Sequence, residues 1–184
     1  MKYINVLFLV ILCFGCKSQQ QNKIGAVGIK YECELATAEF DESPYTNGDK
    51  VDSAYSKFLS IKDNGVFFTS RYFNHSNSTE AFVVDSNSKQ QWTYNADESI
   101  NIALSDERSK VVSNLLEQVE KGSFRQVCYN GPSEGSMSLL LVKLGGELVM
   151  KYEASQFDYT HLNESEKAKI RNALELINVI KTNR

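Results

Sequence analysis

The stretch Met137–Tyr152, MSLLLVKLGGELVMKY, decides the fold class. Two strand-like segments, Met137 to Leu144 and Glu147 to Tyr152, flank Gly145-Gly146. Two glycines supply positive φ at both central positions of a tight turn, which is what a hairpin of twisted antiparallel strands requires. Leu139 to Val142 contains no polar residue. Both faces of that strand are therefore apolar, the pattern of a central strand covered on both sides.

Working towards the N-terminus, Phe124 to Tyr129 reads as a strand. Before it, Val111, Val112, Leu115, Leu116 and Val119 recur at helical spacing. Ser105 suits an N-cap, Asp106 and Glu107 suit the positive end of the macrodipole, and Lys121-Gly122 suits a stop, so the spacing predicts a helix over about 106–121. Ile100 to Leu104 is a short strand. Ala81 to Val84 and Gln91 to Tyr94 form a second hairpin around Ser86-Asn87-Ser88. Tyr55 to Ile61 and Val66 to Phe73 read as strands joined across Lys62-Asp63-Asn64-Gly65, where Asn-Gly favours a hairpin turn. Asp41 to Lys50, with Ser43-Pro44 and Asn47-Gly48, is a loop. Ile29 to Phe40 alternates, with Ile29, Tyr31, Cys33 and Leu35 on one face and Lys30, Glu32 and Glu34 on the other, the period of a half-buried strand. Past the central hairpin, residues 154–162 form a loop. A last helix starts near Asn163, with Glu166 three residues on as a capping-box partner and Ile170, Ala173, Leu174 and Ile177 as its buried stripe. The expectation is α+β: a mainly antiparallel sheet of about eight to nine strands, with a mid-chain helix and a C-terminal helix. Strands do not alternate with helices, which disfavours a Rossmann-type sheet.

The first residues differ in kind from the rest. Lys2 precedes an unbroken apolar run of nine residues, Val6 to Phe14, which ends at Gly15-Cys16 and is followed by the polar KSQQQNK. Such a run is long enough for a signal-peptide core and too short to span a bilayer. Residues 1–16 resemble the signal peptide and lipobox of bacterial lipoproteins, with Cys13 and Phe14 where that family prefers Leu and a small residue. The resemblance implies cleavage after residue 15. It also implies a diacylglycerol thioether and an N-linked, palmitate-type acyl chain on Cys16, which together hold a membrane durably where one chain would not. Residues 16–27 then form the lipidated cysteine and a polar tether, with a reach of about 18 Å. Residues 28–184 form a single globular domain. No acidic residues follow the cysteine as they do in some surface-exported members, so the expected location is the outer membrane, facing the periplasm.

Cleavage removes one charged residue, Lys2, and takes the net charge from −3 to −4. That balance carries no basic footprint for nucleic acid and no polybasic patch for anionic lipid. Of four cysteines, Cys13 leaves with the signal and Cys16 takes the lipid. Cys33 and Cys128 remain, either as a disulfide in an oxidising compartment or as two separate buried thiols.

Other constellations are weaker. Gly131-Pro132-Ser133-Glu134-Gly135 spells G-x-S-x-G, with Asp158 and His161 following in hydrolase order. However, the α/β-hydrolase elbow joins a strand to a helix, and here an apolar strand follows at Met137. Asp158, His161 and Glu164, with His75, lack the spacing of a metal site. The aromatic stretch Phe67, Phe68, Tyr72, Phe73, Phe82, Trp92 and Tyr94 could line a pocket for an apolar or sugar ligand, or form core. Asp52-Ser53-Ala54 resembles an O-glycosylation motif of exported bacterial proteins, with Ser53 at a loop edge. Glu32, Glu34, Asp41, Glu42, Asp49 and Asp52 could form an acidic face that blocks a basic partner. Without a Walker A, zinc-ligand pair or redox CxxC, neither cofactor nor metal is expected. The functional expectation is a lipid-anchored, non-enzymatic envelope protein that binds a protein or a small apolar ligand. An envelope hydrolase using the 131–135 loop and an immunity or inhibitor lipoprotein stand as alternatives.

Overall fold

The computed structural model describes residues 32–40, 49–72, 79–129, 136–155 and 161–182. Contacts divide the chain into Met1–Lys30 and Tyr31–Arg184, and every described residue belongs to the second unit. In chain order its elements are β1 (Glu32–Thr37), α1 (Asp49–Leu59), β2 (Gly65–Tyr72), β3 (Thr79–Asp85), β4 (Gln90–Tyr94) and β5 (Ser99–Ala103). Then follow α2 (Asp106–Glu117), β6 (Gly122–Tyr129), β7 (Ser136–Leu144), β8 (Glu147–Ala154) and α3 (Glu164–Lys181). The eight strands form one sheet in the order β1-β6-β8-β7-β2-β3-β4-β5. Every neighbouring pair is antiparallel except β6 with β8. The α+β class and the mainly antiparallel sheet follow the sequence reading.

The β7–β8 hairpin sits at the centre of the sheet. Gly145 and Gly146 take φ values of +58° and +83°, the two positive values their turn needs. A Cβ on Gly146 would lie 2.7 Å from the Lys62 carbonyl oxygen, so this position excludes any side chain. In β7, Leu140 and Val142 join a core with α2 and α3, through Leu116, Ile170, Leu176 and Ile177. Leu139 and Leu141 point the other way, into a second core with Val51, Ala54 and Phe58 of α1. β7 is thus covered on both faces, by different helices.

The helix caps match their sequence signals. The Ser105 side chain accepts from the Arg108 N–H at the start of α2. At α3, Asn163 and Glu166 form a complete capping box. α2 ends at Glu117, short of the expected Lys121-Gly122, because the Gln118 N–H turns back to the Leu115 carbonyl. Gly122 instead opens β6 with φ +146°.

One element overturns its sequence reading. Tyr55 to Ile61 is not a strand: residues Asp49–Leu59 are α1, so Lys62-Asp63-Asn64-Gly65 joins a helix to β2 and is no hairpin turn. Val51, Ala54 and Phe58 lie on one helical stripe and are all buried. The expected Asp41 to Lys50 loop likewise gives way to α1 at Asp49. The helix ends against β7, where the buried Lys143 Nζ donates to the carbonyls of Phe58, Leu59 and Ile61 at 3.2–3.4 Å. These are carbonyls at and just past the helix end, and a cation also suits the negative pole of the macrodipole. Asn64 serves the central turn instead, its Oδ1 accepting from the Gly145 N–H at 2.9 Å.

Candidate functional site

Of the aromatic stretch, Phe67, Phe68 and Phe82 are core. Phe67 packs its ring on Phe58 and Tyr55 at centroid distances of 5.9 and 5.7 Å. Phe68 stacks on Phe82 on the opposite face. Trp92 is half-buried, with Lys57 Nζ 4.0 Å above its ring. Phe73 lies outside the described residues.

Cys33 and Cys128 are bonded. They are direct partners in the β1–β6 register, with Cα atoms 4.1 Å apart, and the bond joins positions 95 residues apart. Cys16, Ser133, Asp158 and His75 lie outside the described residues. His161 is exposed just before α3, and Glu164, in the first turn of α3, pairs with Lys167 at 2.9 Å. That pairing and its hydrogen bond hold the Glu164 carboxyl below its usual range. Among the described residues no three His, Cys, Asp or Glu side chains gather as a metal site. Ser53 is exposed on α1, not at a loop edge.

Of the proposed acidic face, only the side chains of Glu34 and Asp52 can be followed. Glu34 accepts from the Tyr129 hydroxyl at 2.6 Å, which raises the phenol's pKa, at the β1 end of the sheet. Asp52 is on α1, which packs over β2, β3 and β4. Asp41 and Glu42 lie outside the described residues.

Charge does collect at the β6–β8 end, on the sheet face that α1 leaves to one side. Arg125 Nε meets Glu153 Oε2 at 2.8 Å, and the buried Lys151 Nζ meets Glu153 Oε1 at 2.8 Å. Beneath this row, on the opposite face, the fully buried Gln126 accepts from the Tyr152 hydroxyl at 2.6 Å. A cleft of about 130 Å³ opens beside them, lined by Arg125, Val127, Met137 and Glu153 among others. Its size falls well below the ~300 Å³ at which ligand pockets begin. An open groove of about 400 Å³ runs along α3 between the acids Glu164 and Glu175 and the bases Lys167 and Arg171.

The two edges of the sheet are treated differently. Along β1, the Leu35 N–H points away from β6 and donates to Glu166 Oε1 at 3.0 Å. The other oxygen of that carboxylate closes the α3 capping box on the Asn163 N–H at 2.9 Å. β1 also carries the disulfide and two glutamates. β5, the opposite edge, reads Ser99-Ile100-Asn101-Ile102-Ala103, with no charge and no proline. All but Ile102 are exposed, Ile100 to 44%. The Leu104 N–H donates inward to the Lys89 carbonyl at 2.8 Å, and the Glu98 carbonyl accepts from the Asn95 N–H at 3.0 Å. Strand alternation therefore turns the backbone groups of Ile100 and Ile102 towards β4 and those of Ser99, Asn101 and Ala103 outward. Among the described residues nothing caps that outward row. An uncharged edge of this kind is a template for another strand.

The sequence showed β5 as a strand but not as an edge. Edge status depends on the global strand order, and the local signal was only the lack of charge. Compared with family models, characterised proteins and solved structures, the chain finds no match in any of the three.

Proposed function

We propose that this chain is a lipid-anchored protein of the bacterial cell envelope. Its domain binds another protein by adding that partner's strand to β5. Cys16 carries the lipid, residues 17–27 are the tether, and the outer membrane facing the periplasm is the location. The observation that carries the binding role is the contrast between edges: β1 has one outward N–H, that of Leu35, occupied by Glu166 and carries two glutamates, while β5 presents an uncharged, exposed ladder. A small apolar ligand is supported less, because Phe67, Phe68 and Phe82, three of the aromatic residues proposed to hold it, are buried in the two cores. An inhibitor acting through an acidic face is also supported less, since Glu34 is engaged by Tyr129.

A photoreactive residue in place of Asn101, in the full chain in its own cells, tests the binding role. Irradiation gives a discrete covalent adduct from position 101 and none from position 114, an exposed site on α2. No adduct at 101, or equal adducts at both sites, would overturn the assignment. The anchor is tested separately: Cys16→Ser moves the protein from the membrane to the soluble fraction, and unchanged membrane association would count against lipidation.

A further inference from the structure

We infer that the strand received by β5 is the β5 of a second copy of this chain, an inference that rests on the edge assignment above. The sequence of β5 is self-complementary in an antiparallel pair centred on Asn101. In that register Asn101 faces Asn101, Ile100 faces Ile102, and Ser99 faces Ala103. The residues whose N–H and C=O point outward are Ser99, Asn101 and Ala103. They meet as hydrogen-bonded pairs, so every outward group of one copy finds its complement in the other. Ile100 and Ile102 then fall at non-hydrogen-bonded pairs, where side chains approach most closely, and apolar pairs there stabilise a sheet.

Charge agrees with this register. The five residues of β5 carry no charge, and Glu98 just beyond them faces Leu104, so no like charges oppose one another along the paired strands. Homotypic pairing at β1 would instead have to accommodate Glu32 and Glu34 and displace the Glu166 contact. The two-fold axis stands perpendicular to the sheet, so the helices α2 and α3 of both copies lie on the same side and the partly exposed isoleucines share one surface.

A five-residue strand buries less than the roughly 1,000 Å² of a stable free-solution interface. Pairing is therefore weak in solution and favoured where the copies are concentrated. A lipid anchor does this by confining both copies to one membrane, which raises their effective concentration for each other.

Two differently tagged full-length copies, co-expressed, test the inference, with the photoreactive residue at position 101 in one of them. The expected product carries both tags and joins the β5 peptide of one copy to that of the other. Its yield falls by about ten-fold or more, roughly 1.4 kcal/mol of pairing, in Ala103→Pro, which deletes an outward N–H and leaves the β4 ladder intact. Ile100→Glu, at an exposed position, produces the same loss if proline perturbs folding. An adduct to a different protein, without the second tag, overturns self-pairing but leaves the edge assignment standing. No adduct overturns both, and a two-tag adduct indifferent to both substitutions overturns self-pairing.

Discussion

At the scale of the residue, Tyr152 and Gln126 make a polar contact of 2.6 Å between two buried side chains. Tyr152→Phe removes the hydroxyl and its buried hydrogen bond to Gln126, a loss of about 1 kcal/mol measurable by urea denaturation. Burial raises the Tyr152 pKa well above the ordinary value near 10. Its contribution is therefore complete below about pH 10 and is lost as pH rises through the folded value. Tyr152→Phe should flatten the alkaline limb of the stability profile, and an unchanged limb would show that Tyr152 does not cause it. The sequence placed Tyr152 at the end of a core strand. It could not pair it with Gln126, because the β6–β8 contact is parallel and joins strands that are not consecutive.

At the scale of the element, α1 is where sequence and structure part. Tyr55 to Ile61 carries aromatic and branched residues that favour strands, and Asn64-Gly65 offered a turn. The helical stripe Val51, Ala54, Phe58 was present, but the helix itself starts at Asp49, inside the acidic, turn-rich segment that disguised its start. Tertiary contacts decide: Phe58 fills the core against Phe67, and Lys143 caps the helix end from β7. Phe58→Ala should cost about 3–5 kcal/mol in chemical denaturation; a cost below about 1 kcal/mol would mean that α1 is not part of the core. The hairpins and α3 were legible because their signals are local: Gly145-Gly146 sets its own φ values, and Asn163 with Glu166 closes a box within one turn. The second task of Glu166, occupying the Leu35 N–H 131 residues away, has no local signature.

At the scale of the molecule, the disulfide joins the first strand to the sixth. Reduction, or Cys33→Ser with Cys128→Ser, releases a loop of nearly a hundred residues and should lower stability by about 2–5 kcal/mol, read from the urea midpoint with and without reductant. An unshifted midpoint would show that the bond does not support the sheet. Two cysteines could be set aside on the lipoprotein resemblance, which left Cys33 and Cys128 as candidates for pairing. Which edge of the sheet would stay open could not be read, since that depends on a strand order that brings β1 beside β6 and leaves β5 at the far end. The central claim, binding through β5, is tested most directly by residue-resolved amide exchange on the full chain in membrane vesicles at high protein density. With a strand bound, Ser99, Asn101 and Ala103 are protected to the same degree as Ile100 and Ile102. Fast exchange at the three odd positions beside slow exchange at the two isoleucines would mean that the edge is bare and would contradict the claim.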